Sequence, residues 1–305
     1  MIFQIAFLSC GFAIPSFFMV NGYLILKKDI SRMKMLKKAG RYILICLVWN
    51  MILSILHFLK GEVVNPFEHT LKELFLQQGF FPQFWYLGTL ILFYLFLAMG
   101  YNVVKQQDKR LLWIITSVSF LIMVCVDVLT IVSVAKNNPA IQENIPQTFR
   151  LWTWFFYFTL AHSILKLKNS ERIIKSIKRK KCLIIPVICL LNIGYEYYIG
   201  YRILNIILPE LFYDNLLMVI TVMILFFSLQ GLDIKKERIR IVVKELSANI
   251  LGIYIIHLHI KGLISKMIVA DTIIMQIVSL IIVFTLSAAI ISVVRRIPVI
   301  NKLVC

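Results

Sequence analysis

Two histidines interrupt an apolar stretch near the end of the chain. His257 and His259 lie within Ile250–Ile260, which reads ILGIYIIHLHI. An imidazole can exchange a proton near neutral pH, donate a hydrogen bond or bind a metal, and ionisable groups inside membrane helices are functional candidates. Residues two apart on a helix point about 200° apart, so these two histidines cannot bind one metal ion from a regular helix. We therefore expect no metal site here.

The helix that holds these histidines has two different faces. Tyr254, His257 and Lys261 share one face, at positions i, i+3 and i+7. The other face carries Gly252, His259, Gly262 and Lys266. Small residues allow helices to approach closely. We expect one face to meet a polar cavity and the other a packed neighbouring helix, with His257 as the stronger candidate for a functional role.

Other polar groups within apolar runs have simpler interpretations. Asp127, Glu196 and His57 lie near the predicted outer ends of their runs, where we expect water to solvate them. His162 lies near an inner end, and we expect it to hydrogen-bond a neighbouring helix. Asn50 lies in mid-run, where an amide usually joins two helices.

The composition predicts an integral membrane protein. The chain has 305 residues, of which 60% are apolar and 16% charged, and its mean hydropathy is +0.85. Soluble domains are about 45–50% apolar and about 25% charged. A net charge of +18 could suggest a nucleic-acid partner. However, the basic residues lie between apolar runs, as in cytoplasmic loops, so we expect membrane lipid and no nucleic acid as a partner.

Nine apolar runs approach the length that crosses a bilayer. They cover about 2–26, 42–59, 83–101, 111–135, 149–165, 182–199, 213–230, 248–266 and 272–294. Four of the connecting segments and the C-terminal segment 295–302 carry 26 of the 33 Lys and Arg residues, and the positive-inside rule places those segments in the cytoplasm. Met1 is then outside and the C-terminus is cytoplasmic. The sequence predicts an all-α, polytopic membrane helix bundle in the plasma membrane, with one domain over residues 1–305.

The predicted outer loop 60–82 contains a short amphipathic segment. Phe67, Leu71, Leu74 and Phe75 fall on one helical face, which favours a helix lying at the membrane interface. Such a helix could cover an outward-facing cleft, or the loop could be a simple surface connector.

Four segments, in order, resemble the bacterial integral-membrane acyltransferases of the acyltransferase 3 family. Ala13–Leu26, AIPSFFMVNGYLIL, is similar to the family's VPLFFxISGyLL segment, and a basic stretch follows it here as it does there. Phe84–Leu95, FWYLGTLILFYL, is similar to a FWYLxaLixlYl helix, and Ser247–Ile260 is similar to a late helix ending in IYliHp. The order and spacing of these segments agree over nearly the whole chain.

The resemblance implies acyl transfer from a thioester to a sugar hydroxyl. Members of this family usually have ten membrane helices and O-acetylate sugars of surface polysaccharides, lipopolysaccharide or peptidoglycan, with cytoplasmic acetyl-CoA as the usual donor. The family's first helix carries a basic residue followed about ten positions later by a histidine. This sequence starts at what would be the second helix. We therefore expect either a longer native chain with one more helix before Met1, or a degenerate member of the family.

The resemblance also implies roles for particular residues. The family's RxxR pair corresponds to Lys38-Ala-Gly-Arg41, and such cations would bind the phosphates of CoA, although the positive-inside rule alone also explains them. The family's late histidine corresponds to His257, although Leu258 replaces the proline that follows it there. We expect His257 to be catalytic, either by donating a hydrogen bond or by helping proton transfer. Trp85 and Tyr254 are the candidates for binding the acceptor sugar, although Trp85 would also suit an interfacial aromatic belt.

A different class of function suits the same sequence. Nine apolar runs with few buried charges would also be expected of a glycan transporter, or of an accessory membrane protein of polysaccharide export. Such a protein would move glycan without changing its acetyl content.

Overall fold

The computed structural model describes residues 8, 11–28, 30–101, 109–167, 169–204, 212–268, 272–297 and 301. Helices dominate this part of the chain, and no strand is found within it. In chain order the helices are α1 (Ala13–Lys27), α2 (Arg32–Phe58), α3 (Pro66–Leu76), α4 (Trp85–Met99), α5 (Lys109–Ala135), α6 (Leu151–Leu165), α7 (Ser170–Ile199), α8 (Leu216–Leu229), α9 (Glu237–Met267) and α10 (Ile273–Val294).

The all-α membrane bundle predicted from the sequence is confirmed. Each of the nine predicted spans coincides with one of these helices, although the start of the first span lies outside the described residues. Among the described residues, six helical segments are long and apolar enough to cross a membrane: Arg32–Phe58, Pro82–Met99, Arg110–Ala135, Ser170–Ile199, Glu237–Met267 and Ile274–Val294. α1, α6 and α8 have only 14 or 15 residues, so a total of nine crossings stays a prediction.

The short helix α3, in the segment predicted to be an outer loop, begins and ends with clear local signals. The Asn65 side chain accepts hydrogen bonds from the backbone N–H groups of Phe67 and Glu68, and Pro66 occupies the first turn. The helix ends at Gln77, which has a left-handed backbone with φ of 59°.

The apolar residues of α3 lie in one continuous helix, as predicted, but only part of their face is buried. Leu74 is buried, whereas Phe67 and Leu71 are 59% and 60% exposed. The side that carries Thr70, Glu73 and Leu74 is the side that packs. An interfacial position for the exposed side stays a prediction.

Contacts divide the chain into two compact units. The first contains Met1–Lys37 and Leu92–Leu232, and the second contains Lys38–Ile91 and Asp233–Cys305. The single domain predicted for residues 1–305 stays a prediction.

The first unit has an aromatic core. Phe18 of α1 stacks on Trp154 of α6 with ring centroids 4.5 Å apart, and Phe93 meets Phe158 at 5.0 Å. α1 reaches α6 closely because Gly22 has no side chain: a Cβ there would lie 1.7 Å from the Phe158 carbonyl oxygen.

The second unit is held by close contacts between helices. A Cβ on Gly252 of α9 would lie 2.7 Å from the Ile291 side chain of α10, and the Asn249 amide donates to the Ser292 hydroxyl at 2.7 Å. The packed face predicted for α9 is therefore confirmed at Gly252. It is wrong at Gly262, where a Cβ would meet nothing within 4 Å.

Candidate functional site

The second unit brings the start of α4 against the middle of α9. Gln83 is the connecting residue, and its side chain is buried. Its amide nitrogen donates to the Ile255 carbonyl oxygen of α9 at 2.9 Å. In the opposite direction, the Tyr254 hydroxyl donates to the Gln83 carbonyl oxygen. These two bonds fix the turn of α9 that carries His257.

His257 is held in one tautomer by its own helix. Its Nδ1 lies 2.6 Å from the Tyr254 carbonyl oxygen. A carbonyl can only accept, so Nδ1–H is the donor, and in the neutral ring Nε2 keeps its lone pair. The ring is half-buried, and its centroid lies 5.9 Å from that of Tyr254. The geometry therefore provides an oriented base, and it brings together two of the residues predicted from sequence.

His259 points elsewhere, as its spacing predicted. Its ring lies against Phe81 with centroids 4.6 Å apart, and its Nδ1 is buried without a hydrogen-bond partner. Within the part of the chain that the structure describes, no three His, Cys, Asp or Glu side chains are grouped as metal ligands would be.

Sequence reasoning missed Glu73, a buried carboxylate of the same unit. Its side chain has no exposed surface. One oxygen accepts from the Asn50 amide at 2.6 Å and the other from the Phe81 backbone N–H at 2.9 Å, and the Phe80 N–H contributes a further bond. Burial raises the pKa of Glu73, and these three hydrogen bonds oppose the rise. A signal was available, since Glu73 and Thr70 share one side of the amphipathic helix.

Asn50 and Gly79 show how closely this carboxylate is surrounded. The Asn50 amide nitrogen also donates to the Cys46 carbonyl oxygen at 3.1 Å, so the expected role of joining helices is confirmed, with the loop helix α3 as the partner. Gly79 has φ of +130°, and a Cβ there would lie 2.6 Å from a Glu73 carboxylate oxygen. Only glycine suits this position.

Of the remaining predicted site residues, Trp85 lies close to this turn, because its neighbour Tyr86 meets the Tyr254 ring with centroids 5.7 Å apart. Trp85 begins α4 and is 4% exposed, with its ring edge against Tyr86. Lys38 and Arg41 are exposed on α2, three residues apart. Arg41 precedes Asn50 by nine residues, which is about 13 Å along a helix.

The first unit contains a different buried polar cluster, which we call the Arg150 cluster (Arg150, Asp214, Thr153, Gln142 and Gln147). Arg150 and Asp214 are 0% and 1% exposed, and their side chains pair at 2.8 Å. Thr153 and Gln142 also donate to the Asp214 carboxylate, and Arg150 donates to the Gln147 side chain. Both carboxylate oxygens are occupied, which is the arrangement of a structural ion pair.

Two expectations for the first unit are wrong. Glu196 was expected to be solvated, but its side chain is fully buried and accepts from the Asn192 amide at 2.7 Å. His162 was expected to bond a neighbouring helix, yet its Nε2 is buried without a partner. Burial by neighbouring helices cannot be read from a single apolar run.

Comparison with protein families decides the general identity. The model of the acyltransferase 3 family, described as an acyltransferase domain, matches residues 1–293. The chain belongs to the acyltransferase 3 family. Comparisons with curated proteins and with solved structures found no match. Together with the six candidate spans, this makes the chain a multi-pass membrane acyltransferase.

Proposed function

We propose that this membrane acyltransferase transfers an acetyl or other short acyl group from acyl-CoA to a sugar hydroxyl of a surface polysaccharide or lipid-linked glycan. The observation that carries the proposal is the His257 imidazole, whose Nδ1–H is bound by the Tyr254 carbonyl so that Nε2 can act as a base. Acetyl-CoA is the donor we expect.

The proposed reaction needs one proton acceptor. Nε2 of His257 takes the proton of the acceptor hydroxyl, and the oxygen of that hydroxyl attacks the thioester carbonyl carbon. The new C–O bond forms, the C–S bond breaks, and the proton passes to the CoA thiolate. Each proton removed is returned, so the ring ends in its starting state.

Lys38 and Arg41 are proposed to bind the phosphates of the donor. They lie on the part of α2 that the charge pattern assigns to the cytoplasm, which also places the C-terminus there. Arg41 can bind a phosphate with two hydrogen bonds, whereas Lys38 acts as a point charge. The long pantetheine arm of CoA separates its phosphates from its thioester, which suits charges at a helix start and a base deeper in the membrane.

Tyr254 and Trp85 are proposed for the acceptor sugar. Tyr254 is half-buried beside His257, so its ring could contact a sugar whose hydroxyl faces Nε2. Trp85 is only 4% exposed, so it would contact a sugar only after neighbouring side chains move.

The test is acyl transfer by the protein purified from its own membranes and reconstituted into vesicles. We expect radiolabel from acetyl-CoA to appear in added glycan. Arg41→Ala should raise the KM for acetyl-CoA about tenfold through the loss of a bidentate phosphate contact. Arg172→Ala, which removes another exposed cytoplasmic arginine, is the matched control.

A transporter or export protein would give a different result. Glycan would cross the vesicle membrane without acquiring label, and deleting the protein would leave the acetyl content of finished glycan unchanged. That pair of results would reject acyl transfer from acetyl-CoA.

A further inference from the structure

We propose that Glu73 is a positioning residue for His257, acting through the segment 79–84, which we call the Glu73 loop. This inference rests on the proposed function, in which His257 transfers the proton. Glu73 does not touch the reacting atoms. It holds the segment that in turn holds the His257 turn of α9.

The first step is the carboxylate itself. Glu73 joins a membrane helix to the loop, because one oxygen is bound by the Asn50 amide of α2 and the other by the Phe81 N–H. With the Phe80 N–H as a third donor, the start of the loop is fixed on a buried anion. The glycine at 79 leaves the space that this approach requires.

The second step leads from the loop to α9. Phe81 packs on Phe84 with ring centroids 4.6 Å apart, and on the other histidine ring of α9, that of His259. Two residues beyond Phe81, Gln83 donates to the Ile255 carbonyl at 2.9 Å and accepts from the Tyr254 hydroxyl. The loop therefore contacts α9 on both sides of His257, at Tyr254 and Ile255 before it and at His259 after it.

The third step is the effect on the base. The Tyr254 residue that bonds the loop through its hydroxyl also supplies the carbonyl that binds Nδ1 of His257. A displacement of the loop would move this residue and with it the imidazole. A misplacement of about 1 Å can lower a catalytic rate about 10²-fold.

The Glu73 side chain has to accept hydrogen bonds at both of its oxygens, one from the Asn50 amide and one from the Phe81 N–H. The Asn50 amide nitrogen faces two acceptors, the Cys46 carbonyl and the Glu73 carboxylate, so its orientation is determined. A glutamine side chain has one oxygen and one NH₂ group, so with Glu73→Gln the NH₂ group would face either the Asn50 amide or the Phe81 N–H, and both of these are donors. The double variant Asn50→Asp/Glu73→Gln exchanges the two functional groups. The amide introduced at position 73 could then donate to the carboxylate introduced at position 50.

The test combines kinetics with hydrogen–deuterium exchange on the full-length protein in detergent. We expect Glu73→Ala to lower kcat about 10²-fold with the KM for acetyl-CoA within about twofold. Amides of 79–84 and of 254–258 should exchange about tenfold faster. The double variant Asn50→Asp/Glu73→Gln should recover part of kcat relative to Glu73→Gln. Glu68→Ala on the same helix, which removes an exposed carboxylate, is the control and should change none of these.

Each outcome has a distinct meaning. Glu73→Ala protein that is monodisperse and retains its kcat, or faster exchange confined to 79–84, would overturn the positioning role. If the wild-type protein transfers no acyl group, the proposed function fails. The exchange of 254–258 then still tests the physical link between Glu73 and the His257 turn, and faster exchange there would support that link by itself.

Discussion

Two buried polar clusters, one in each unit, differ in how their charged groups are paired. In the Arg150 cluster a cation and an anion face each other, and both oxygens of Asp214 accept hydrogen bonds. In the second unit the Glu73 carboxylate accepts from neutral donors, and His257 uses one ring nitrogen while the other keeps its lone pair.

This difference separates a structural role from a chemical one. In this fully buried ion pair both carboxylate oxygens are bound, and removing one partner would leave a buried charge. A half-buried imidazole of fixed tautomer can still exchange a proton. From this contrast we expect the first cluster to contribute stability and the second to contribute turnover, and mutations can test each expectation separately.

The largest effect is expected from breaking the Arg150 cluster. Asp214→Ala leaves the guanidinium of Arg150 buried without its partner, which should lower the free energy of unfolding by about 3–5 kcal/mol. Thermal unfolding in detergent would measure this. The double variant Arg150→Met/Asp214→Leu should be much less destabilised. If the single variant kept the wild-type midpoint, the cluster would not be the structural element we describe.

The next effect concerns turnover and compares two histidines on one helix. His257→Gln should lower kcat about 10²–10⁴-fold, since the introduced amide cannot accept and return a proton. His259→Gln is the matched control, because that ring packs on Phe81 and should affect stability more than rate. Equal losses of kcat in the two variants would contradict the assignment of the base.

The helices were predictable, whereas their partners were not. Each helix could be predicted because a long apolar run has to be buried, either in a membrane or in a protein core. The faces of α9 followed from helical periodicity, which separated His257 from His259 correctly.

The contacts of Glu73 and the Glu73 loop join residues that are far apart in the sequence. Glu73 meets a residue 23 positions away, and Gln83 meets one 172 positions away. No local pattern encodes such pairings. Which side of α3 packs could not be predicted for the same reason, since α3 packs through Glu73 and Leu74 and leaves Phe67 and Leu71 exposed.

A smaller effect is expected from the titration of Glu73, which should make the unfolding midpoint depend on pH. Because burial raises the pKa of Glu73 above the ordinary value of 4.5, the folded protein binds this proton more tightly than the unfolded chain does. Stability contributed by Glu73 is then present below 4.5 and is lost as pH rises through the raised pKa. We expect Glu73→Gln to flatten the dependence of the unfolding midpoint on pH in that window. A profile that stays as steep as that of the wild type would show that another group titrates there.

The smallest effect is expected at an exposed pair on the same helix. Lys72 and Glu68 pair at 2.5 Å, and the Lys72 ammonium lowers the pKa of Glu68 through its hydrogen bond and its charge. A lowered pKa contributes stability above the ordinary value of 4.5, and this stability is lost as pH falls through the lowered pKa. Lys72→Met should return the pKa of Glu68 toward its ordinary value, as NMR of labelled glutamate would measure. It should leave acyl transfer and the unfolding midpoint at neutral pH unchanged, because solvent screens exposed pairs. A loss of stability like that of Asp214→Ala would mean that burial does not determine how much each of these two ion pairs contributes to stability.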